Sequence, residues 1–234
     1  MKQADPDWQS IRLPLTGNTP PDVGTVELWL IDLDELPLEA GPTGLTRKEK
    51  VLKRRIQQQF VLRLLLGSYL GRPGKDIRID KSASGKPSIA DSDLQFNLSH
   101  SGAWLGVALT TGHPIGVDIE INRLMRRPTE LARRFFSQAE ARVIEGVEEP
   151  ERSHSFLTQW TAREALVKAA DTTMAASLGH LELGIDPVEL LSLPSTWPEP
   201  DQWCLINPAC PADLVMHVAI PAAIDRIKGF LLKT

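Results

Sequence analysis

Cysteine is scarce in this chain of 234 residues, and neither sign of charge dominates it. Two cysteines, Cys204 and Cys210, are too few for a disulfide framework or a cysteine zinc site. Five histidines are scattered without the spacing of zinc ligands: His100, His113, His154, His180 and His217. The net charge of −4 gives the chain as a whole no electrostatic reason to bind nucleic acid.

Long apolar runs and the common nucleotide-binding loops are also missing. The N-terminus has no apolar signal core, and the longest apolar stretch, residues 60–71, is interrupted by Arg63 and is too short to span a bilayer. No G-x-G-x-x-G, G-x-x-x-x-G-K-[ST] or G-x-S-x-G motif occurs. Ser99 and His100 are neighbours on an extended segment and point to opposite faces, which disfavours a serine hydrolase. We expect a cytoplasmic protein that has neither a membrane span nor a nucleic-acid partner.

The periodicity of the remaining sequence predicts an α+β fold. After an irregular lead-in over residues 1–22, a strand starts at Val26 and "TRKE" (46–49) opens a helix by a capping box, with Ile56, Phe60 and Leu64 in its buried stripe. Residues 94–111 read as two strands joined at Ser101-Gly102. Two more helices are predicted over 135–146 and 155–170, followed by short strands. The order strand, helix, strands thus occurs twice, which suggests two similar halves that meet near residue 112.

One strand, "PIGVDIEINR" (114–123), places two carboxylates side by side. At period two, Asp118 and Glu120 share a face with Gly116, while the opposite face is apolar. Residues that are two apart lie about 6–7 Å apart on a strand. Two charges at that distance repel by roughly 2–3 kcal/mol at an effective dielectric near 20. The residues leave two readings open: both carboxylates are solvated on a wet face, or a cation offsets them.

A third carboxylate, Glu164, lies on the last predicted helix, four residues before Lys168. The pair is either an ordinary helix salt bridge, worth about 0.3–0.5 kcal/mol, or Glu164 faces Asp118 and Glu120 while Lys168 faces an anion. A ligand set of oxygens alone favours a hard cation, and Mg²⁺ typically combines carboxylates with substrate phosphates. A magnesium site here would therefore imply a partner that carries phosphate.

Several basic groups are available for such phosphates. "SGKP" places Lys86 on a tight turn, and "SHS" places His100 between two hydroxyls beside Gly102. The remaining candidates lie in "LTRKEKVLKRR" (45–55): Arg47, Lys48, Lys50, Lys53, Arg54 and Arg55. Each feature also has a structural reading, because basic clusters commonly form solvated helix faces and a lone histidine is commonly structural.

Five motifs, taken together, resemble a known enzyme family. They are "GKP" (85–87), "FNLSHSGAW" (96–104), "PIGVDIE" (114–120), "ARRFFSQAE" (132–140) and "WTAREALVKA" (160–169). In this order and spacing the chain resembles a 4'-phosphopantetheinyl transferase of the surfactin-synthetase-activating type, from about Val26 to residue 221. "GVDIE" combined with a downstream W-x-x-x-E-x-x-x-K is the most specific part. Arg163 stands where the family commonly has lysine, and the two side chains are not equivalent.

The resemblance implies an activity, a fold and a site. Such enzymes use Mg²⁺ to move the phosphopantetheine arm of coenzyme A onto a serine of an acyl or peptidyl carrier protein, releasing 3',5'-ADP. The implied fold is a monomer of two α+β halves, residues 1–112 and 113–234, related by a pseudo-twofold axis with the active site in the cleft between them. The residues that match metal ligands are Asp118, Glu120 and Glu164. Those that match coenzyme A contacts are Arg54, Lys86, Ser99, His100, Asp118 and Lys168.

The same resemblance assigns catalytic roles to the acids and to Lys168. Glu164 matches the general base for the carrier serine, Lys168 matches the lysine that meets the diphosphate, and Asp118 and Glu120 complete the catalytic set. Two rival functions share parts of this site. A non-catalytic coenzyme A or nucleotide-binding module would keep the phosphate contacts without needing Glu164. A magnesium-dependent pyrophosphatase would share the metal but would not need to dock a carrier.

Overall fold

The computed structural model describes residues 5–36, 45–177 and 179–233, and it is a mixed α+β structure, as the sequence predicts. The described strands are β1 (Trp8–Arg12), β2 (Thr25–Asp32), β3 (Ile79–Lys81), β4 (Pro87–Ile89), β5 (Leu94–Ser101), β6 (Trp104–Thr111), β7 (Gly116–Ile121), β8 (Glu182–Leu183), β9 (Leu190–Ser192), β10 (Cys204–Ile206), β11 (Leu214–Ile220) and β12 (Arg226–Lys233). The described helices are α1 (Arg47–Leu70), α2 (Pro128–Phe135), α3 (Gln138–Gly146), α4 (Glu151–Ala169) and α5 (Met174–Ser177). None of these helices is both long enough and apolar enough to cross a membrane.

Two sheets form the centre of the molecule. A five-stranded sheet has the order β1-β12-β2-β6-β5, and a three-stranded sheet has the order β10-β11-β7. α1 packs on the first sheet through Leu65 and Tyr69, and α4 packs on the second through Ala165 and its neighbours. Between the sheets, Leu28 on β2 joins one apolar cluster with residues of β7 and β11. The layers therefore run helix, sheet, sheet, helix.

The first and last strands tie the two ends of the chain together. β12 lies between β1 and β2 and runs parallel to both. The prediction of an irregular lead-in is therefore wrong for Trp8–Arg12, which form β1. Its partner is more than 200 residues away in sequence, so no local turn or hairpin signal announces the strand. β12 follows residue 112 in sequence, but the other four strands of its sheet all precede that residue. The division into two halves at residue 112 therefore stays a prediction.

The N-terminus of α1 follows the sequence closely, but its buried face does not. Thr46 accepts a hydrogen bond from the backbone N–H of Glu49, whose carboxylate accepts one from the Thr46 N–H, so the predicted capping box is confirmed. The predicted buried stripe is wrong: Ile56, Phe60 and Leu64 are 60%, 47% and 37% exposed. The buried residues include Val61, Leu62, Leu65, Leu66 and Tyr69. The C-terminal half of α1 is apolar on several sides, so its sequence leaves the buried face undetermined.

The helical segment that follows β7 is divided into shorter pieces. The helix predicted over residues 135–146 begins later, because Phe135 ends α2 and Ser137 caps α3. The Ser137 hydroxyl accepts from the N–H of Glu140, and the Glu140 carboxylate accepts from the Ser137 N–H; the spacing of these two residues in the sequence already predicts this capping box. Between the two helices, Phe136 stacks on Phe156 of α4. This contact fixes α2 and α3 on α4.

A glycine sets the distance between β7 and α4. Gly116 faces α4, and a Cβ atom at this position would overlap the carbonyl oxygen of Ala165 and the amide nitrogen of Ala169. The same face of the strand carries Asp118 and Glu120 two and four residues later. The opposite face, with Val117 and Ile119 almost fully buried, enters the core between the sheets. The acidic face of β7 therefore lies against the helix that carries Glu164 and Lys168.

Candidate active site

Asp118, Glu120 and Glu164 lie close enough together for the charges of the first two to affect the pKa of Glu164. Asp118 is 6% exposed on β7, and α4 lies along that strand. The pKa of Glu164 is raised, chiefly by burial; the Lys168 ammonium lowers it, while the charges of Asp118 and Glu120 raise it. Three acids thus share a region in which Lys168 pairs with Asp118 and Arg123 lies 3.9 Å from Glu120. Such an arrangement favours any additional cation at this point.

Two serines of β5 hold the acids of β7. Ser99 Oγ donates to Asp118 Oδ1 at 2.6 Å, and Ser101 Oγ donates to Glu120 Oε2 at 2.7 Å. Asn97, on the same face of β5, accepts a hydrogen bond from the Val117 N–H at 3.0 Å. Sequence reasoning placed Ser99 at the site but missed Ser101 and Asn97. The spacing of two residues between Asn97, Ser99 and Ser101 indicates that they share one face of a strand. It does not indicate that this face lies against β7.

Lys168 lies closer to the acids than the sequence suggested. Its Nζ atom is 2.7 Å from Asp118 Oδ1 and 3.1 Å from the carbonyl oxygen of Val117. Lys168 therefore forms an ion pair within the site, and its predicted contact with an anionic ligand stays a prediction. Lys168 still lines a cavity on its other side, so it lies between the acids and an open space.

The donor chemistry fits a hard divalent cation, although the side chains do not form a closed cage. Within residues 5–36, 45–177 and 179–233, no three His, Cys, Asp or Glu side chains converge tightly enough to hold a metal ion. However, all three acids supply carboxylate oxygens, which are the ligands that Mg²⁺ prefers. The charges of Asp118 and Glu120 both raise the pKa of Glu164. These three residues would hold such an ion.

A large basic cavity lies beside the acids, between α1 and the turn that joins β5 to β6. Its volume is about 900 Å³, and its lining includes Arg54, His100 and Ser101 together with Arg47, Lys50, Lys53 and Arg55. Arg54 donates to Asp34 at 2.8 Å. Its Nη1 atom, however, is buried and has no hydrogen-bond partner among the residues that the structure describes. A cavity that several guanidinium and ammonium groups line is suited to a phosphate.

A smaller cavity of about 260 Å³ lies on the other side, lined by Lys86, Asn97 and Lys168. Lys86 Nζ donates to the carbonyl oxygen of Ala169 at 3.1 Å. Burial lowers the pKa of Lys86 to about 8, partly offset by the charge of Asp171. The structure therefore divides the predicted coenzyme A contacts into two groups, with Arg54 and His100 in one cavity and Lys86 and Lys168 in the other.

Arg163 lies apart from these groups. It is 1% exposed, and its guanidinium donates to the Glu140 carboxylate, to Gln159, and lies 4.2 Å from the centre of the Phe136 ring. Burial lowers its pKa, while the charge of Glu140 raises it. Glu140 also accepts from the Leu183 N–H at 2.8 Å. Arg163 thus joins α3, α4 and β8, and its contacts in the described chain are structural.

The elements that carry the acids lie in the part of the chain that matches a known family. Residues 114–205, which contain both β7 and α4, match the sequence model of the 4'-phosphopantetheinyl transferase superfamily. The match spans Asp118, Glu120, Glu164 and Lys168. The resemblance that the sequence motifs indicate is therefore confirmed at the level of the superfamily.

Individual relatives extend the match beyond this segment. The chain is 28% identical over 211 residues to the 4'-phosphopantetheinyl transferase HetI of Nostoc sp., covering 83% of this chain and 87% of that protein. It is 33% identical over 131 residues to the transferase Sfp of Bacillus subtilis, covering 52% of this chain and 57% of that protein. A further 4'-phosphopantetheinyl transferase of Bacillus subtilis is 34% identical over 152 residues, covering 64% and 65%.

Proposed function

We propose that this protein transfers the 4'-phosphopantetheine arm of coenzyme A to a serine hydroxyl of an acyl or peptidyl carrier protein and releases 3',5'-ADP. The observation that carries the proposal is that the acids contact residues of both cavities: Ser101, which lines the basic cavity, donates to Glu120, and Lys168, which lines the smaller cavity, pairs with Asp118. Coenzyme A offers a 3'-phosphate and a diphosphate, so it needs cations at more than one point. The names of the relatives support the same activity.

Different residues bind different parts of the substrate in the two cavities. Arg54 and His100 bind a phosphate of the nucleotide, because both line the large cavity together with four further basic side chains. Lys86 and Lys168 contribute positive charge on the other side of the acids. Ser99 and Ser101 hold Asp118 and Glu120 in place by donating to their carboxylates. Because these hydrogen bonds are already formed, the two carboxylates lose little conformational entropy when substrate binds.

Glu164 is the proposed base for the carrier serine. It lies on α4 close enough to Asp118 and Glu120 for their charges to affect its pKa, and it corresponds to the acid of the family's W-x-x-x-E-x-x-x-K pattern. In this role it accepts the serine proton as the hydroxyl oxygen bonds to the phosphorus atom next to the pantetheine. The bond from that phosphorus to the bridging oxygen breaks, and 3',5'-ADP leaves with the bridging oxygen. A divalent cation held by Asp118, Glu120 and Glu164, proposed as Mg²⁺, would offset the negative charge that develops on the diphosphate.

The remaining expectations accompany this proposal. The layered arrangement of helix, sheet, sheet and helix supports two similar halves, residues 1–112 and 113–234, with the substrate in the cleft between them. We propose a monomer of the surfactin-synthetase-activating type that acts in the cytoplasm. The partners are coenzyme A and an apo carrier protein, without a nucleic acid or a membrane.

One assay separates this function from its rivals. The protein is mixed with coenzyme A, Mg²⁺ and an apo carrier protein, and the carrier is weighed by intact mass spectrometry. A gain of one phosphopantetheine mass supports the transfer. Bound coenzyme A without a mass gain would favour a non-catalytic binding module, and hydrolysis of coenzyme A without a carrier would favour a pyrophosphatase.

Single-residue variants test the assignment of the acids. Asp118→Ala and Glu164→Ala should each abolish the mass gain, because each removes one proposed cation ligand and Glu164→Ala also removes the base. Circular dichroism should show an unchanged fold for both variants. Glu189→Gln, at an exposed position away from the cavities, should transfer at the wild-type rate. Wild-type activity in either alanine variant would refute the assignment.

A further inference from the structure

The C-terminus of α4 has an unusual residue at its turn. The Thr172 N–H donates to the Val167 carbonyl at 3.1 Å, and the Asp171 N–H donates to the Lys168 carbonyl at 3.4 Å. These two bonds are those of a Schellman motif, in which the residue at the position of Asp171 takes a left-handed conformation. Asp171 has a φ of +54°, and it is the only non-glycine residue of the described chain with a positive φ. Glycine would adopt this conformation at a lower cost.

The carboxylate of Asp171 makes contacts that a glycine at this position could not make. Its Oδ1 accepts a hydrogen bond from Ser82 Oγ at 2.7 Å and another from Ser84 Oγ. Both serines belong to the tight turn that precedes Lys86. Ser82 also accepts from the Lys86 N–H at 3.1 Å through its hydroxyl. Asp171 therefore fastens the Lys86 turn to the end of α4, across more than 80 residues of sequence.

The same fastening determines where Lys86 points. Its ammonium donates to the carbonyl oxygen of Ala169, the last residue of α4. From there it lines the cavity of about 260 Å³ that Lys168 and Asp171 also line. The charged groups around this cavity are thus two ammonium groups and one carboxylate. Lys168 is fixed by the last turn of α4, and Lys86 is fixed by the turn bound to Asp171.

We propose that Asp171 is a positioning residue that holds Lys86 opposite Lys168 for the diphosphate-bearing substrate. The inference rests on the proposed function, since it names coenzyme A as that substrate. Asp171 acts through the serines and through its own charge and does not itself touch the phosphates. Removing its charge would further lower the pKa of Lys86, which burial already lowers to about 8. Less of the ammonium form would then be present at neutral pH.

The first test compares Asp171→Gly with Asp171→Asn in steady-state kinetics. Glycine suits the left-handed conformation but removes the carboxylate, so the melting temperature should not fall. The KM for coenzyme A should nevertheless rise about tenfold, the effect of losing one charge-assisted contact, while kcat changes little. Asparagine tolerates the same conformation and can still accept from the serines, so it should restore part of the KM. Asp201→Gly, at an exposed aspartate on another surface, should match the wild type.

A second readout does not depend on catalysis. The reactivity of Lys86 towards trace acetic anhydride, followed by peptide mass spectrometry, reports its ionisation as the pH is raised. The midpoint for Lys86 should move to a lower pH in Asp171→Gly, because the carboxylate no longer stabilises the ammonium form. A Ser82→Ala/Ser84→Ala double variant should raise the KM for coenzyme A in the same way. Combining it with Asp171→Gly should add little further, since the three residues act as one unit.

The outcomes distinguish a failure of the positioning role of Asp171 from a failure of the proposed transferase function. If the wild type transfers nothing to a carrier, the proposed function fails, and the Lys86 labelling still tests the role of Asp171. Unchanged Lys86 labelling and an unchanged KM in Asp171→Gly would overturn the positioning role. So would a fall in melting temperature and kcat that asparagine does not restore, because that result would mean a purely structural residue.

Discussion

Single residues in this molecule serve either the site or the core, and His217 shows how the core can respond to pH. His217 is fully buried on β11, where Asn207 Nδ2 donates to its Nε2 at 3.1 Å. Its Nδ1 therefore carries the proton and donates to Thr161 Oγ1 at 2.8 Å, while the Thr161 hydroxyl donates to the Leu157 carbonyl. The neutral ring is satisfied on both sides. Burial lowers its pKa to about 3.

This histidine should make the protein less stable in mild acid. The unfolded chain binds a proton at His217 below its ordinary pKa of about 6.5, whereas the folded chain binds one only near 3. The contribution of the neutral ring to stability is therefore complete above about pH 6.5 and is lost as the pH falls through this window, by at most about 1.4 kcal/mol per pH unit. Urea unfolding at pH 7 and pH 5 measures the loss.

Replacing the ring isolates its share of that pH dependence. His217→Gln should reduce the loss of unfolding free energy between pH 7 and pH 5 by about 2 kcal/mol, whatever its effect on stability at pH 7. His180→Gln, at an exposed histidine, should leave the pH dependence unchanged. Equal pH dependence in the wild type and in His217→Gln would show that the ring titrates normally in the folded protein.

At the scale of elements, the position of α4 on β7 determines the site. Gly116 allows the helix to approach the strand, and Glu164 and Lys168 reach the acids of β7 from that helix. Gly116→Ala should force the two elements apart, at a cost of about 1–3 kcal/mol for overpacking, and should lower the transfer rate. Thermal unfolding and the carrier mass assay measure the two effects.

A second glycine provides the control for this prediction. A Cβ atom at Gly146, the last residue of α3, would meet nothing within 4 Å. Gly146→Ala should therefore leave both the melting temperature and the transfer rate near those of the wild type. If Gly116→Ala behaved in the same way, the close contact of β7 with α4 would not matter to the site.

The elements that the sequence predicts well are those with local signals. The capping boxes at Thr46 and Ser137, the paired strands around Gly102 and the alternation of β7 all lie within a few residues of their cause. The elements that it misses depend on distant partners. β1 needs β12, the buried face of α1 needs the sheet beneath it, and Asp171 needs the turn before Lys86. No pattern within one segment carries such information.

At the scale of the whole molecule, the last strand completes the first sheet. β12 pairs with β2 over seven residues and with β1 over five, and its Phe230 ring stacks on Trp29 at 4.7 Å between centroids. A strand in this position satisfies the backbone groups of two neighbours at once. The two terminal strands therefore lie in one sheet, and the N-terminal part depends on residues that follow α4.

Removing the last strand tests this dependence. A chain that ends at Pro221 lacks β12. Without it, β2 loses one of its two paired strands and β1 loses its only described partner. We expect this chain to lose cooperative urea unfolding and near-ultraviolet circular dichroism. A wild-type unfolding midpoint in the shortened chain would show that the N-terminal sheet is stable without its C-terminal strand.

We propose that Asp118, Glu120 and Glu164 together hold one divalent cation beside coenzyme A. Electron paramagnetic resonance of Mn²⁺ counts bound ions directly, and a protein-free mixture of Mn²⁺ and coenzyme A gives the background signal. The wild type with saturating coenzyme A should bind one Mn²⁺ per chain, and the Asp118→Asn/Glu164→Gln double variant should give only the protein-free signal. Equal binding in the double variant and the wild type would contradict the account.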